Sequence, residues 1–305
     1  MFLIKNATII DPNSKHNGKK VDMLVSKGII KEIGKNLSAK SAKLIEGKNL
    51  QVSPGWLDIG AQVGEPGFEH REDLASVTAA AAAGGFTALA CFPNTAPPIH
   101  SKSEVSFLRN NTQLVNFYPI GAVSRECAGG DLAEIYDMAK AGAVAFSDGA
   151  KSIASAGLMK RGLHYIKGID GVLINHPHDV SLGKGGQLHE GEISTKLGMK
   201  GIPALSETLM LKRDLDLLAY TDSKLHVHNI STAESVKLIK AAKAKKLKVT
   251  ASVSIMHLIY THESLETFDP NFKLTPPLRE KKDAKALLKG IQDERLMSLI
   301  PTIHL

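Results

Sequence analysis

Pro54-Gly55-Trp56-Leu57-Asp58-Ile59-Gly60-Ala61-Gln62-Val63-Gly64-Glu65-Pro66-Gly67 is a short apolar run that leads into a turn. Side chains alternate along a strand, so Leu57 and Ile59 are expected on one face and Asp58, Gly60 and Gln62 on the other. Polar groups then leave the end of the strand together. With its beginning placed at residue 52, this is the first of eight strand-like runs, at 52–59, 87–92, 115–123, 143–146, 172–175, 224–228, 248–253 and 296–303. Helical patterns fill the intervals, at 73–83, 102–110, 131–141, 155–167, 205–220, 232–245 and 283–293. Eight strands alternating with helices imply an α/β fold, a (β/α)8 TIM-like barrel whose functional groups sit at the C-terminal ends of the strands.

Residues 1–50 have a different pattern. Short β-branched runs at 2–10, 22–26, 29–33 and 42–46 are separated by Asp-Pro-Asn, Lys-Gly and Gly-Lys turns, which suits a small, sandwich-like β domain ahead of a barrel at 51–305. Strands this short need another layer to cover their apolar face. The sequence stops at His304-Leu305, where strand eight is expected, so the last barrel helix has no residues to form it. If the 305 residues are a fragment, further residues of the chain are expected to supply the cover; if they are the whole, a second subunit, identical or different, is the expected remedy, and the chain is read as an oligomer.

Composition limits the function classes. A hydrophobic content of 43% and a charged content of 23% suit a soluble globular protein, and no apolar run reaches the ~20 residues that a membrane span needs. Met1-Phe2-Leu3-Ile4-Lys5-Asn6 has no signal-peptide pattern, and Cys91 and Cys127 have neither disulfide-framework nor zinc-finger spacing, so a cytoplasmic location is expected. The net charge of +7 is concentrated in lysine runs such as 237–248. There Val236, Leu238, Ile239, Ala242 and Leu247 suit a helix lying on a sheet with its lysines in water, and no aromatic side chain interleaves with them. Neither a nucleic acid nor a membrane is an expected partner.

Several segments recur in a familiar order: the Pro54-to-Gly67 frame, Ala83-Gly84-Gly85-Phe86-Thr87, Pro93-Asn94-Thr95-Ala96-Pro97-Pro98, Phe146-Ser147-Asp148, Glu190-Gly191-Glu192-Ile193-Ser194-Thr195, Gly201-Ile202-Pro203, and Phe272-Lys273 with Pro276-Pro277-Leu278-Arg279. Together they resemble the dihydroorotases, cyclic-amide hydrolases of the amidohydrolase superfamily that act in pyrimidine biosynthesis. The resemblance covers nearly the whole chain and implies a zinc site at the strand ends. At the family's ligand positions, however, this chain has Gly60 and Gln62 for the paired histidines, Gly149 for the bridging carboxylate, Asn229 for a histidine after strand six, and Ile303 for the aspartate that is both ligand and base. Only His176, after strand five, keeps the family residue. Gly64 stands where an arginine grips the substrate carboxylate, a loss of about 2–3 kcal/mol of recognition. Thr275 stands where an asparagine precedes Pro-Pro-Leu-Arg, and Asn94 matches the loop asparagine that contacts substrate.

A two-metal hydrolase needs carboxylates to offset the metals' charge and imidazoles to hold them. The substitutions therefore lead to the expectation of no cofactor and no catalytic residue, a pseudoenzyme. His176 is read as a strand-end histidine satisfied by hydrogen bonds. His226 and His228 are read as facing the helices, opposite Asn229. Inactive relatives of this kind serve as structural partners of aspartate transcarbamoylase, and that role follows from the resemblance. Two alternatives stand beside it: an active dihydroorotase or related cyclic-amide hydrolase with an altered zinc site, and a small-molecule binding module around Asn94.

Overall fold

The structure, a computed structural model, describes residues 1–111, 114–293 and 298–300. The chain divides into two compact units, Met1–Trp56 and Leu57–Leu305. In the first unit the strands Ile29–Gly34, Lys20–Ser26, Phe2–Ile9 and Lys43–Ile45 form one sheet in that order, and Gln51–Val52 also pairs with Phe2–Ile9. Residue 51, expected in the barrel domain, and residue 52, expected in the first barrel strand, thus belong to this sheet, with Thr8 opposite Gln51 and Ile9 opposite Val52. Ile9, Val21 and Met23 make its small core. Asp22 is buried beside them and accepts from the Asn6 N–H at 2.9 Å, the Leu37 N–H at 3.0 Å and Lys5 Nζ at 2.9 Å. The Asn6 N–H, ahead of the other contacts, holds its carboxyl below the ordinary range against the opposing effect of burial.

The second unit is built on a curled parallel sheet. Its strands are Trp56–Ala61, Phe86–Cys91, Asn116–Gly121, Ala145–Phe146, Leu173–Asn175, Leu225–Val227, Val249–Ser254 and Ser298–Ile300, adjacent in sequence order. The eighth lies inside the expected 296–303, and the remaining part of that run, with Ile303, lies outside the described residues. Leu74–Ala83, Lys102–Asn110, Ile135–Ala141, Ala156–Lys167, Leu205–Thr221, Ala233–Ala244 and Lys281–Gln292 are the intervening helices. Their starts are fixed by short polar side chains: Asp73 accepts from the Ser76 N–H at 2.7 Å, and Thr232 accepts from the Ser235 N–H at 3.1 Å. Among the described residues no helix is long and apolar enough to cross a membrane.

The strands are apolar on both faces, as a sheet with helices on one side and a filled interior on the other requires. Leu173, Leu225, Val227, Val249 and Val253 pack in one cluster with the helix residues Leu163, Ile166, Leu211, Ile239 and Leu287. Ala90, Phe92, Ile120, Ala145 and Ile174 form a second cluster, inside the barrel. Between strands five and six the chain adds a short helix, Glu192–Lys196, and a two-stranded ribbon, Leu188–His189 with Gly201–Ile202, which periodicity alone did not reveal.

Glu207, near the start of the Leu205–Thr221 helix, is 1% exposed. Its carboxylate accepts from the N–H groups of Ser231 and Thr232 at 3.0 and 3.1 Å, and from the hydroxyls of Thr232, Ser231 and Ser235. Arg279 continues the network. Its Nε donates to Ser231 Oγ at 3.0 Å, and its Nη1 donates to the Ile202 carbonyl at 2.9 Å and to His189 Nδ1 at 3.0 Å. Burial pushes the Glu207 carboxyl up, but Arg279 and the serine donors outweigh it and leave the group below its ordinary value.

Glu207→Gln should lower the unfolding free energy by about 1–3 kcal/mol at pH 7, because the mutation removes the charged acceptor of the Ser231–Ser235 donors and leaves buried Arg279 with Asp283 as its remaining counter-charge. Urea denaturation reads this directly. The wild-type contribution is present above the unfolded pKa, ~4.3, and is lost as pH falls through the lower folded value.

Candidate functional site

The C-terminal ends of the barrel strands surround a cavity of about 550 Å³, lined in part by Gln62, Gly149, His176, His228, Lys273 and Thr275. His176 follows strand five and is buried. Its Nδ1 donates to the His228 carbonyl at 3.3 Å, which puts the ring's lone pair on Nε2, and its ring stacks on His178 with centroids 6.1 Å apart. His228 follows strand six and meets Phe92 edge-on, with centroids 4.9 Å apart. His226, one turn of the alternation earlier, binds Thr250 Oγ1 at 2.7 Å and Ser252 Oγ at 3.1 Å on strand seven.

His226 and His228 therefore point to the barrel interior and not, as expected, to the helices. Alternation holds in strand six, but Leu225 and Val227 take the helix-facing side because the most apolar surface lies there. Asn229, at φ +54°, leaves the pattern. Its amide donates to the Thr275 carbonyl at 3.3 Å and accepts from the Ser254 N–H at 3.1 Å, so it ties strand seven to the loop ahead of Pro276. The sides expected for the first strand also change. Ile59 packs on the interior cluster, and Gly60, at φ +101°, directs its own side-chain position inward as well. A positive φ breaks the alternation on which the expected facing relied.

Three of the substituted positions are closed as well as changed. A Cβ at position 60 would stand 2.7 Å from the Phe92 ring and 2.9 Å from the His228 ring. A Cβ at position 64 would overlap the Glu72 carbonyl, and one at 149 would overlap the Asn94 amide. Asn94 holds that last turn in place: its Nδ2 donates to the Asp148 carbonyl at 3.0 Å, and its Oδ1 accepts from the Ala150 N–H at 2.9 Å. Asp148 faces away, accepting from the Val123 and Ser124 N–H groups at 3.0 and 2.9 Å and from Ser124 Oγ at 2.5 Å, and burial pushes its carboxyl up. Among the described residues no three His, Cys, Asp or Glu side chains come together as a metal would need, so the residues present do not fit the family's zinc pair.

A family model described as dihydro-orotase-like matches residues 49–235. The dihydroorotase of Pelotomaculum thermopropionicum is 41% identical over 305 residues, covering 99% of this chain and 71% of that protein. The dihydroorotase of Acetivibrio thermocellus is 40% identical with the same coverages. This chain belongs to the dihydroorotase-like family. Among solved structures, the L-hydantoinase (dihydropyrimidinase) of Arthrobacter aurescens superposes with a TM-score of 0.83 at 21% identity, covering 98% of this chain and 69% of that one, a likeness of fold. The barrel and the β unit ahead of it in sequence thus have the fold found in that hydantoinase.

Sequence reasoning missed His228 and Lys273 as cavity residues. The clue for His228 was present: with Leu225 and Val227 on the helix-facing side, the polar residues that alternate with them, His226 and His228, had to face the interior. The same misreading hid a titration. Burial holds both His226 and His257 down to about 4 from an ordinary 6.5, even though the Pro276 carbonyl, 3.0 Å from His257 Nε2, favours that group's charged form. As pH falls the unfolded chain takes up these protons first, so the stability the two neutral rings contribute is complete above 6.5 and is lost toward 4. The urea midpoint should decline across that interval, and His226→Gln should flatten part of the decline.

Proposed function

We propose that this chain is a metal-free, non-catalytic member of the dihydroorotase-like family, a cytoplasmic protein serving pyrimidine biosynthesis as a structural partner of aspartate transcarbamoylase. The observation that carries the metal-free part is the closure of the ligand positions: Phe92 and His228 fill the space at Gly60, and Asn94 fills the space at Gly149. A site that had lost only its ligand atoms would keep the room for them. Asn94, bonded through its amide to Asp148 and Ala150, is assigned to hold this turn in place of a substrate contact. Its surroundings do not favour the expected role in substrate binding. The partner assignment rests on the family resemblance and on charge, since a chain of net charge +7 suits an acidic surface.

A second reading, an active cyclic-amide hydrolase with an altered zinc site, draws on the relatives named dihydroorotase at 40–41% identity. Elemental analysis beside a dihydroorotate hydrolysis assay separates the two. Zinc well below one ion per chain and no turnover are expected. Stoichiometric zinc that disappears in His176→Ala, with turnover, would establish the second reading instead.

Two further outcomes follow from the closure. Gly60→His with Gln62→His should restore no activity, because position 60 lacks room and position 149 still lacks a carboxylate; residues that act as one unit are strongly non-additive. Co-sedimentation with the same organism's aspartate transcarbamoylase, at micromolar concentrations and low salt, tests the partner. No complex there would remove the scaffolding role and leave the small-molecule binding module.

A further inference from the structure

We propose that the outward face of the Leu205–Thr221 helix is the contact surface of a two-fold dimer, with a second copy of this chain as its occupant. The inference does not depend on the catalytic status of the strand ends.

A helix on the outside of a barrel needs one apolar stripe toward the sheet and a polar face toward water. The Leu205–Thr221 helix has a second apolar stripe. Its buried side carries Met210, Leu211, Leu215 and Leu218. At about 100° per residue, Leu205, Leu209, Lys212, Asp216, Ala219 and Tyr220 fall together on the opposite side, and all six are exposed. Leu205 is 54% exposed, Leu209 47% and Tyr220 72%. The next helix, Ala233–Ala244, turns Glu234, Lys237 and Lys240 outward instead.

Neighbouring segments extend the apolar surface at both ends of this stripe. The Asp179 N–H donates to the Ser206 carbonyl at 2.9 Å, which brings exposed Val180 to the Leu205 end. At the other end His164 meets Tyr220 edge-on, with centroids 6.1 Å apart. Tyr165, next to His164 in the chain, is exposed and packs edge-on against Tyr136. Single exposed leucines are ordinary on a protein surface, but a band of aliphatic and aromatic side chains marks an interaction face, and tyrosine is enriched in such faces.

The order of residues along the stripe selects a second copy. The stripe is aliphatic at one end and aromatic at the other, with a cation and an anion between them. A two-fold axis at the level of Asp214, midway between Lys212 and Asp216, sets two such helices antiparallel and pairs each position with one equally far beyond the axis. Lys212 of each copy then meets Asp216 of the other, and Leu209 of each meets Ala219 and Tyr220 of the other. An isologous contact requires this self-complementarity. Ala219 permits close approach, and the groove beside it, about 330 Å³ and lined by Leu215, Leu238 and Leu247, offers a seat for Leu209 of the other copy.

Sedimentation equilibrium on the 305-residue chain tests the face. The wild type should be a dimer at micromolar concentrations. Leu209→Glu should raise the dimer dissociation constant on the order of a hundredfold, since the change is made twice in each contact. Lys212→Asp and Asp216→Lys should each weaken the dimer about tenfold, because each sets like charges opposite one another. Mixing these two variants is the sharper test: the reversed charge of one is complementary to that of the other, so a mixed dimer should recover near wild-type strength. All three positions are exposed, and far-UV circular dichroism checks that the variants keep the fold. A wild type that stays monomeric, a dimer that Leu209→Glu leaves intact, or single reversals that weaken the dimer without recovery on mixing would each overturn the proposal.

Discussion

A buried carboxylate is tolerable only when its lone pairs are filled, because stripping an ion of water costs several kcal/mol. Glu207 meets that demand from one short segment, Ser231 to Ser235, which follows strand six. Meeting it fixes where strand six ends, and with it where His228 and Asn229 sit. Arg279 extends the constraint from Ser231 to the Ile202 carbonyl and to His189, so the ribbon that carries Ile202 is held to the same point. Two walls of the cavity are thus positioned by one carboxylate that does not line it.

Relative to the family pattern, two of the strand-end ligand positions, 60 and 149, are occupied by packing. At position 60 the lost imidazole leaves a backbone at φ +101° with an aromatic edge and a second imidazole against it. At position 149, φ +66°, a side-chain amide from the loop after strand two takes the place of a carboxylate and bonds the turn through two backbone groups. Each change removes a charge or a ligand and adds contacts. Groups arranged for metal chemistry repel one another or sit desolvated, so filling their space with uncharged contacts favours stability.

The barrel was legible in the sequence because helices and strands alternate, and because strands buried on both faces are short apolar runs with clear polar gaps. The same property hid their facing. A strand that is apolar on both sides does not state which side is the interior, and His226 and His228 were assigned to the wrong one; the comparison of Leu225 and Val227 with their polar neighbours held the answer. Gly60 could not be read at all, since a positive φ leaves no periodic signal. Glu207 carried no signal of its own in the sequence, because its partners come from a segment 24 to 28 residues away. The family's ligand positions were found by resemblance, but whether room remained at them is a property of neighbours such as Phe92 and Asn94, which only the folded chain brings there.

Fold and chemistry separate cleanly in this chain because different residues carry them. The apolar cluster between strands and helices, the interior cluster around Phe92 and Ile174, and the Glu207–Arg279 network contain none of the substituted ligand positions. Gly60, Gln62 and Gly149 lie at strand ends and turns, where the framework asks only that the backbone pass through. A chain about 40% identical to proteins named dihydroorotase can therefore keep the whole framework with a different set of charges at its mouth. Likeness of fold constrains the first set of residues and is silent about the second, so function has to be argued from the second set alone.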